Sequence, residues 1–304
     1  MDADFAPAWD LPARTLRPMA PLTGPFPLSS FLSAWASDAA PPGAETLVAH
    51  SPDGALPIWV DGATIRFQGE ADLTDYHSPL GNSIDACIAL IARRYAGHPF
   101  SLDSLPAEAV APLERSLELQ SATFTTTRHI AALVVDLPDD YEAWLLSLSK
   151  KHRHEVRRKQ RRFVDLVGEP DYERRDDPGA FAAFVGMHRR ADGEKGTFMT
   201  ERAEGFFQTL LTDAAATIDL LSVDGRPVAA GFGFAEDEAY YLYNSAYEPE
   251  LIGAAPGIVL LASMIDRSIA DGLSRFDFLK GDERYKYHLG GVERPLSVIE
   301  GSFA

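Results

Sequence analysis

Residues 239–290 read AYYLYNSAYEPELIGAAPGIVLLASMIDRSIADGLSRFDFLKGDERYKYHLG, and the order of their periods decides the fold. Ala239 to Ala246 is rich in tyrosine and suits a pleated, half-buried strand. From Pro256 the period changes. Ile258, Leu261, Ala262, Ile265 and Ile269 follow helical spacing, Pro256 suits a first-turn position, and Gly272 supplies a left-handed stop. Ser274 to Leu279 alternates again as a strand, and Gly281 breaks it. The stretch is therefore a strand, helix, strand unit with its chemistry at the turns. The helix start built from Gly253, Ala254, Ala255, Pro256 and Gly257 presents backbone N–H groups without bulky side chains, a setting that favours a phosphate or pyrophosphate.

At these residues the sequence resembles a known family. The Pro-Gly pair before an apolar helix, and above all FDFLKGDERYKYHLG at 276–290, look like the CelD-type acetyltransferases of the GNAT superfamily, relatives of the Fem-type aminoacyltransferases. A second match is the basic run LSKKHRHEVRRKQRR at 148–162, and a third is Asp75-Tyr76 with Ser78-Pro79-Leu80. Together they span the chain from about residue 45 to the end. The resemblance implies a tandem GNAT-like fold of the α/β (α+β) class, two mixed-sheet halves packed together, with residues 45–136 a degenerate copy and 137–304 the acyltransferase half. Residues 1–44, rich in proline and alanine, precede both.

A chain of 304 residues, 46% apolar and 24% charged, can bury a substantial core and is ordinary for a globular protein. No apolar run approaches the roughly 18 residues of a membrane span, and the first thirty residues lack a basic segment followed by an apolar one. Both point to the cytoplasm. The single Cys87 excludes an internal disulfide and falls in an apolar helical pattern with Ile84, Ile88 and Ile91, as a buried small hydrophobe would. No paired histidine spacing suggests a metal site. The formal charge of −17 argues against DNA or general polyanion binding. Its distribution is uneven: residues 150–162 hold eight Lys or Arg against Glu155, a local +7 that leaves −24 for the remainder.

Read in order, the first half gives a short helix at 27–36, strands at 46–50, 56–60 and 64–68 with Asp61-Gly62 as a hairpin turn, a helix at 82–95, a strand at 100–105, a helix at 108–119 and two strands at 123–127 and 130–135. The first twenty residues read as poorly ordered. In the second half Asp139 and Glu142 stand at capping-box spacing, and the helix they open continues through the basic run to Gly168. A strand at 167–174, helices at 179–190 and 201–212, and a meander at 216–223, 226–235 and 238–246 lead into the opening stretch.

The resemblance implies that the strands at 239–246 and 275–279 splay apart and that acetyl-CoA or another acyl-CoA lies between them. Backbone groups of Tyr243, Asn244 and Ser245 would bond the pantetheine, with Gly253, Ala255, Gly257 and Ile258 beneath the pyrophosphate. The loop carries two glycines and no basic residue, a departure from the superfamily pattern. Acyl transfer from a thioester needs a deprotonated amine, a stabilised oxyanion and a protonated leaving thiolate. Tyr285 and Tyr287 are candidate acids, Asp277, Asp282 and Glu283 candidate bases, with Asp277 and Tyr285 foremost. Lys286 either binds an acidic acceptor or pairs with Asp282. Arg153, Arg157 and Arg158 either form a solvated, ion-paired face or line a groove for a phosphate-bearing acceptor, a tRNA acceptor stem being a less favoured occupant. By resemblance the acceptor is an amino sugar in exopolysaccharide or cell-envelope synthesis. A Fem-like transferase using aminoacyl-tRNA and an inactive GNAT scaffold stand as alternatives.

Overall fold

The structure, a computed structural model, describes residues 3–6, 9, 15–70, 72–191 and 193–304. The chain divides into two compact units, Met1–Ala132 with Arg294–Ala304, and Leu133–Glu293. The sequence reading set its boundary at residues 136 and 137 and kept 137–304 together; by contact, the last eleven residues go with the first unit.

The first unit runs β1 (Asp4–Ala6), α1 (Ser29–Ala34), β2 (Glu45–Ser51), β3 (Gly54–Asp61), β4 (Thr64–Phe67), β5 (Leu80–Gly81), α2 (Asp85–Arg94), β6 (Pro99–Pro106), α3 (Ala107–Leu119) and β7 (Thr123–Asp136), whose last residues enter the second unit. Strands β2, β3 and β4 form the expected antiparallel meander, α2 crosses over, and β6 lies parallel to β4 with Ile65 opposite Phe100. Ile84, Cys87, Ile88 and Ile91 of the α2 region pack with Leu56, Ile58, Phe100 and Leu113, so Cys87 is a core residue. Burial pushes its thiol up to about 11, which leaves it protonated at neutral pH. Two expectations change. Asp4–Ala6 is ordered as an edge strand on β2, although much of residues 1–14 lies outside the described residues. The two strands expected at 123–127 and 130–135 are one, because the polar Arg128-His129 pair does not interrupt the backbone ladder.

The second unit continues with α4 (Tyr141–Ser147), α5 (Lys150–Leu166), β8 (Asp171–Arg175), α6 (Pro178–Arg190), α7 (Glu194–Phe198), α8 (Glu201–Asp213), β9 (Ala216–Val223), β10 (Arg226–Glu236), β11 (Ala239–Tyr247), α9 (Pro256–Ala270), β12 (Arg275–Lys280) and α10 (Arg284–His288). A last strand, β13 (Val292–Ser302), begins there and ends in the first unit. The sheet order is β7-β12-β11-β10-β9-β8, antiparallel from β8 to β11 and parallel between β11 and β12. Helices α5 and α9 pack together, while α6 contacts β10 and β11. Val259, Leu260, Met264 and Ile265 fix α9 on the sheet; each buried side chain of this size contributes roughly 1.5–3 kcal/mol.

The long helix expected from Asp139 to Gly168 is two helices. Asp140, not Asp139, caps α4, its Oδ1 accepting from the Ala143 N–H at 2.7 Å. Leu148 and Ser149 are extended, and Ser149 Oγ accepts from the His152 N–H at 3.2 Å to start α5. A serine at this position competes for the backbone and offers a cap, so the chain re-nucleates and the basic run becomes a helix of its own.

Candidate active site

The parallel pairing of β11 and β12 runs from Ala239 opposite Arg275 to Tyr241 opposite Asp277 and stops, while the strands continue to Tyr247 and Lys280. The strands form a fork. Two local features open it. On β11, the register against β10 shifts between Phe232 and Gly233, with Phe232 opposite Asn244 and Gly233 opposite Leu242, so Tyr243 is the extra residue of a β-bulge. Bulges bend and twist a strand, and this one restores Ser245 and Tyr247 to the face held by Leu242. On β12, Leu279 adopts φ +61°, a left-handed conformation costing a non-glycine residue about 1–2 kcal/mol. Asp277 Oδ1 accepts from the Leu279 N–H at 2.7 Å, and the Lys286 ammonium donates to the Lys280 carbonyl at 2.6 Å and the Leu279 carbonyl at 3.4 Å. Those bonds hold the turned end of the strand.

Beside the fork lies a cleft of about 270 Å³ lined by Ser245, Tyr247, Ile252, Ala255, Pro256, Gly257, Ile258, Leu261 and Tyr285. Four of the seven residues expected at the carrier site, Ser245, Ala255, Gly257 and Ile258, are in its wall, together with the expected acid Tyr285. Ala255 precedes α9 in a left-handed conformation at φ +59°, ψ +48°, and a Cβ on Gly257 would meet the Tyr247 ring at 3.4 Å. The helix start is a sparser anion site than its sequence suggests. Pro256 has no N–H, and the Ile258 and Val259 N–H groups both reach the Ala255 carbonyl, at 3.1 and 3.4 Å. Gly253 faces another element: its Cβ would lie 4.0 Å from a guanidinium nitrogen of Arg162 on α5. The cation absent from the loop comes from a helix about ninety residues earlier in the chain.

Tyr285 packs edge-on to Phe278, ring centroids 6.1 Å apart. Burial, reinforced by the Glu283 carboxylate, pushes its phenol well above the ordinary tyrosine range, so at neutral pH it is a proton donor. The remaining candidates lie elsewhere. Asp277 is 2% exposed, spends one carboxylate oxygen on its own strand end and is outside the cleft lining. Glu283 is exposed and pairs at 2.9 Å with Lys286, which is 3% exposed; that pairing replaces the expected one with Asp282, also exposed. Lys286 is thus a pin for the strand end. Tyr287 donates to Glu293 at 2.9 Å. Tyr243 packs among Phe207, Phe232 and Phe234, and Asn244 accepts from the Ser245 N–H. Three cations of the basic helix are engaged within the protein. Arg153 donates to the carbonyls of Leu146 and Leu148, Arg157 pairs with Glu142 at 2.5 Å, and Arg158 grips Glu155 at 2.7 and 2.8 Å. Sequence reasoning missed Tyr247, Ile252 and Leu261 in the cleft and Arg162 beside it. The helical spacing of Leu261 with Ile258 was visible, but Arg162 needed the fold.

A fork in a mixed sheet, a bulged strand and a helix start beneath it define the acyltransferase class called GNAT, and the comparisons agree. Residues 150–287 match the family described as Acetyltransferase (GNAT) domain. A conserved protein of unknown function from Bacteroides thetaiotaomicron is 16% identical, with a TM-score of 0.65 over 90% of this chain and 89% of that one. FemX is 12% identical with a TM-score of 0.61 over 93% of both chains, and a tandem GNAT protein from the clavulanic acid biosynthesis pathway is 13% identical with a TM-score of 0.50 over 99% and 98%. No curated protein sequence matches the chain. At these identities the likenesses establish the fold: the chain has a tandem GNAT-like α/β architecture. Among the described residues no helix is long and apolar enough to cross a membrane.

Proposed function

We propose that the second unit transfers an acyl group, most simply acetyl, from acyl-CoA to an amine, with an amino sugar of exopolysaccharide or cell-envelope synthesis as the acceptor and a CelD-type subfamily as its kin. The observation that carries this reading is the fork with Tyr285 in its cleft. Where β11 parts from β12 its open edge borders the cleft, where a pantetheine arm can lie along the strand, and the helix start below it is a place for a diphosphate. The amine attacks the thioester carbonyl as its proton leaves to solvent or a nearby carboxylate. The C–S bond then breaks, and in this reading the Tyr285 hydroxyl gives its proton to the sulfur. The CelD-type kinship rests on the 276–290 segment. The Fem-like reading needs a long RNA contact, for which the engagement of Arg153, Arg157 and Arg158 with carbonyls and carboxylates leaves fewer cations.

Arg162 tests the donor directly. Its guanidinium stands by Gly253, where a carrier diphosphate would sit, and a charge-assisted contact at an exposed site is worth about 1–2 kcal/mol. Arg162→Gln should therefore raise the calorimetric Kd for acetyl-CoA roughly five- to thirtyfold with an unchanged melting curve. An unchanged Kd would remove Arg162 from the carrier site. A wild-type chain that binds no acyl-CoA would leave the Fem-like and inactive-scaffold readings, and one that binds neither acetyl-CoA nor a short aminoacylated acceptor stem would leave the scaffold.

A further inference from the structure

The basic helix is not used up by its internal pairs. His152 on α5 and His288 on α10 lie ring to ring, centroids 4.3 Å apart and planes inclined by 35°. On α5 Lys151 is next to His152 and Lys159 stands two turns further along, and on α10 Arg284 stands one turn before His288, so all three add positive charge near the ring pair. Glu155, the acidic residue within the basic run, is taken bidentately by Arg158 and only loosely, at 3.8 Å, by Lys159. Among the described residues, Lys151 and Arg284 have no hydrogen bond or ion pair to a side chain. Two imidazoles and three cations thus have one carboxylate among them, Glu155, which Arg158 already holds bidentately, in a protein whose total charge is −17. A surplus of positive charge at an exposed place is a setting that attracts an anion.

Its position says what the anion belongs to. His288 stands one helical turn beyond Tyr285, which lines the cleft. His152 stands ten residues before Arg162 on α5, about 15 Å along the axis, so one helix presents cations at two separated places beside one cleft. We propose that His152, His288, Lys151, Lys159 and Arg284 form a second phosphate-binding site, which holds the phosphate or diphosphate of the acceptor while its amine reaches Tyr285. This rests on the acyltransfer reading for the identity of the ligand as acceptor; the phosphate site itself does not. The ring pair, 4.3 Å between centroids, offers one compact anion position, which fits a small phosphate ester rather than an RNA track.

The protonated imidazoles are the form that binds an anion, and the burial and neighbouring cations that hold His288 below the ordinary histidine range are offset when a diphosphate arrives. Binding and protonation are therefore linked: the anion raises the imidazole pKa, and affinity falls as pH rises through it. The test is an NMR titration of the imidazole C–H signals of the full chain with inorganic pyrophosphate, with and without saturating acetyl-CoA. The expected result is that pyrophosphate moves both signals, raises the His288 pKa by about one unit, binds about tenfold more tightly at pH 5.5 than at pH 8, and does so with acetyl-CoA present. His288→Gln should abolish the pH dependence. Lys151→Gln and Arg284→Gln, both exposed and free of structural bonds, should each weaken binding several-fold even if the histidine variant folds poorly. Imidazole signals that ignore pyrophosphate, or Lys151 and Arg284 variants that bind it normally, would overturn the site. Loss of binding on adding acetyl-CoA would assign the cluster to the carrier instead. A short RNA stem moving the signals at lower concentration, with a steep salt slope, would overturn the small-ligand assignment. Failure of acetyl-CoA to bind while pyrophosphate still moves the histidines would sink the donor reading and leave this site standing.

Discussion

Tyr285→Phe should lower kcat by about 10²- to 10⁴-fold, the span a positioned general acid contributes, while the Kd for acetyl-CoA stays within about twofold. Phenylalanine keeps the ring that packs edge-on to Phe278 and keeps the cleft wall; only the hydroxyl is lost. The burial that raises the phenol pKa also disfavours a naked thiolate in the same cleft, so the proton is drawn toward sulfur as the C–S bond breaks. The sign of the pH dependence follows. An acid whose pKa is pushed up stays protonated through neutral pH, so the wild-type rate should not fall between pH 7 and 9 on account of Tyr285. Steady-state rates by thiol release, with the Kd from calorimetry, separate the two quantities. A Phe variant within threefold of wild type would assign the proton to another group.

Asp219→Ala should cost about 3–5 kcal/mol of folding stability, the loss expected when a buried ion pair is left with one partner. Asp219 is 0% exposed and accepts from the hydroxyls of Tyr172 and Tyr240 and from Arg174 Nε at 2.8 Å. Arg174 also pairs with Asp271 at the end of α9 and lies 4.4 Å over the Tyr240 ring. One carboxylate therefore ties β8, β9 and β11 to the helix that begins at the cleft. Removing it leaves a guanidinium and two phenols short of an acceptor. Urea denaturation measures the loss, and Arg174→Met added to the variant should restore part of it, because the stranded charge goes with it. A loss below 1 kcal/mol would mean water replaces the carboxylate.

Much of the fold lay open in the sequence because its signals are local. The meander at 216–247 shows period two with Asp-Gly at its turn, and α9 shows an apolar stripe between Pro256 and Gly272; both formed where expected. Features that depend on a single residue breaking a period were hidden. The tyrosine-rich run AYYLYNSAY does not show that Tyr243 is inserted as a bulge, nor does a leucine announce the left-handed turn that Leu279 makes at the end of β12. The same event recurs in the first unit, where Ser104 on β6 has φ +56°. There the crossover strand again runs parallel to the last meander strand, a repetition that backbone geometry shows and the letters do not. The candidate site was legible in its composition and less so in its assignments. Tyr285 and the 255–258 turn share a cleft, whereas the partners of Arg157, Lys286 and Asp277 depended on which groups the fold brought near. Arg162, Lys151 and Lys159 sat in the basic run but could not be ranked within it, and Arg284 lay outside it.

The measurement that bears most directly on the fork is a crystal structure of the full chain with acetyl-CoA. The account predicts the pantetheine arm between β11 and β12 beyond Tyr241 and Asp277, its diphosphate between Gly257 and Arg162, and the thioester sulfur within hydrogen-bonding reach of the Tyr285 hydroxyl. Strands found paired along their full length in that crystal, or a cofactor bound away from the cleft, would contradict it.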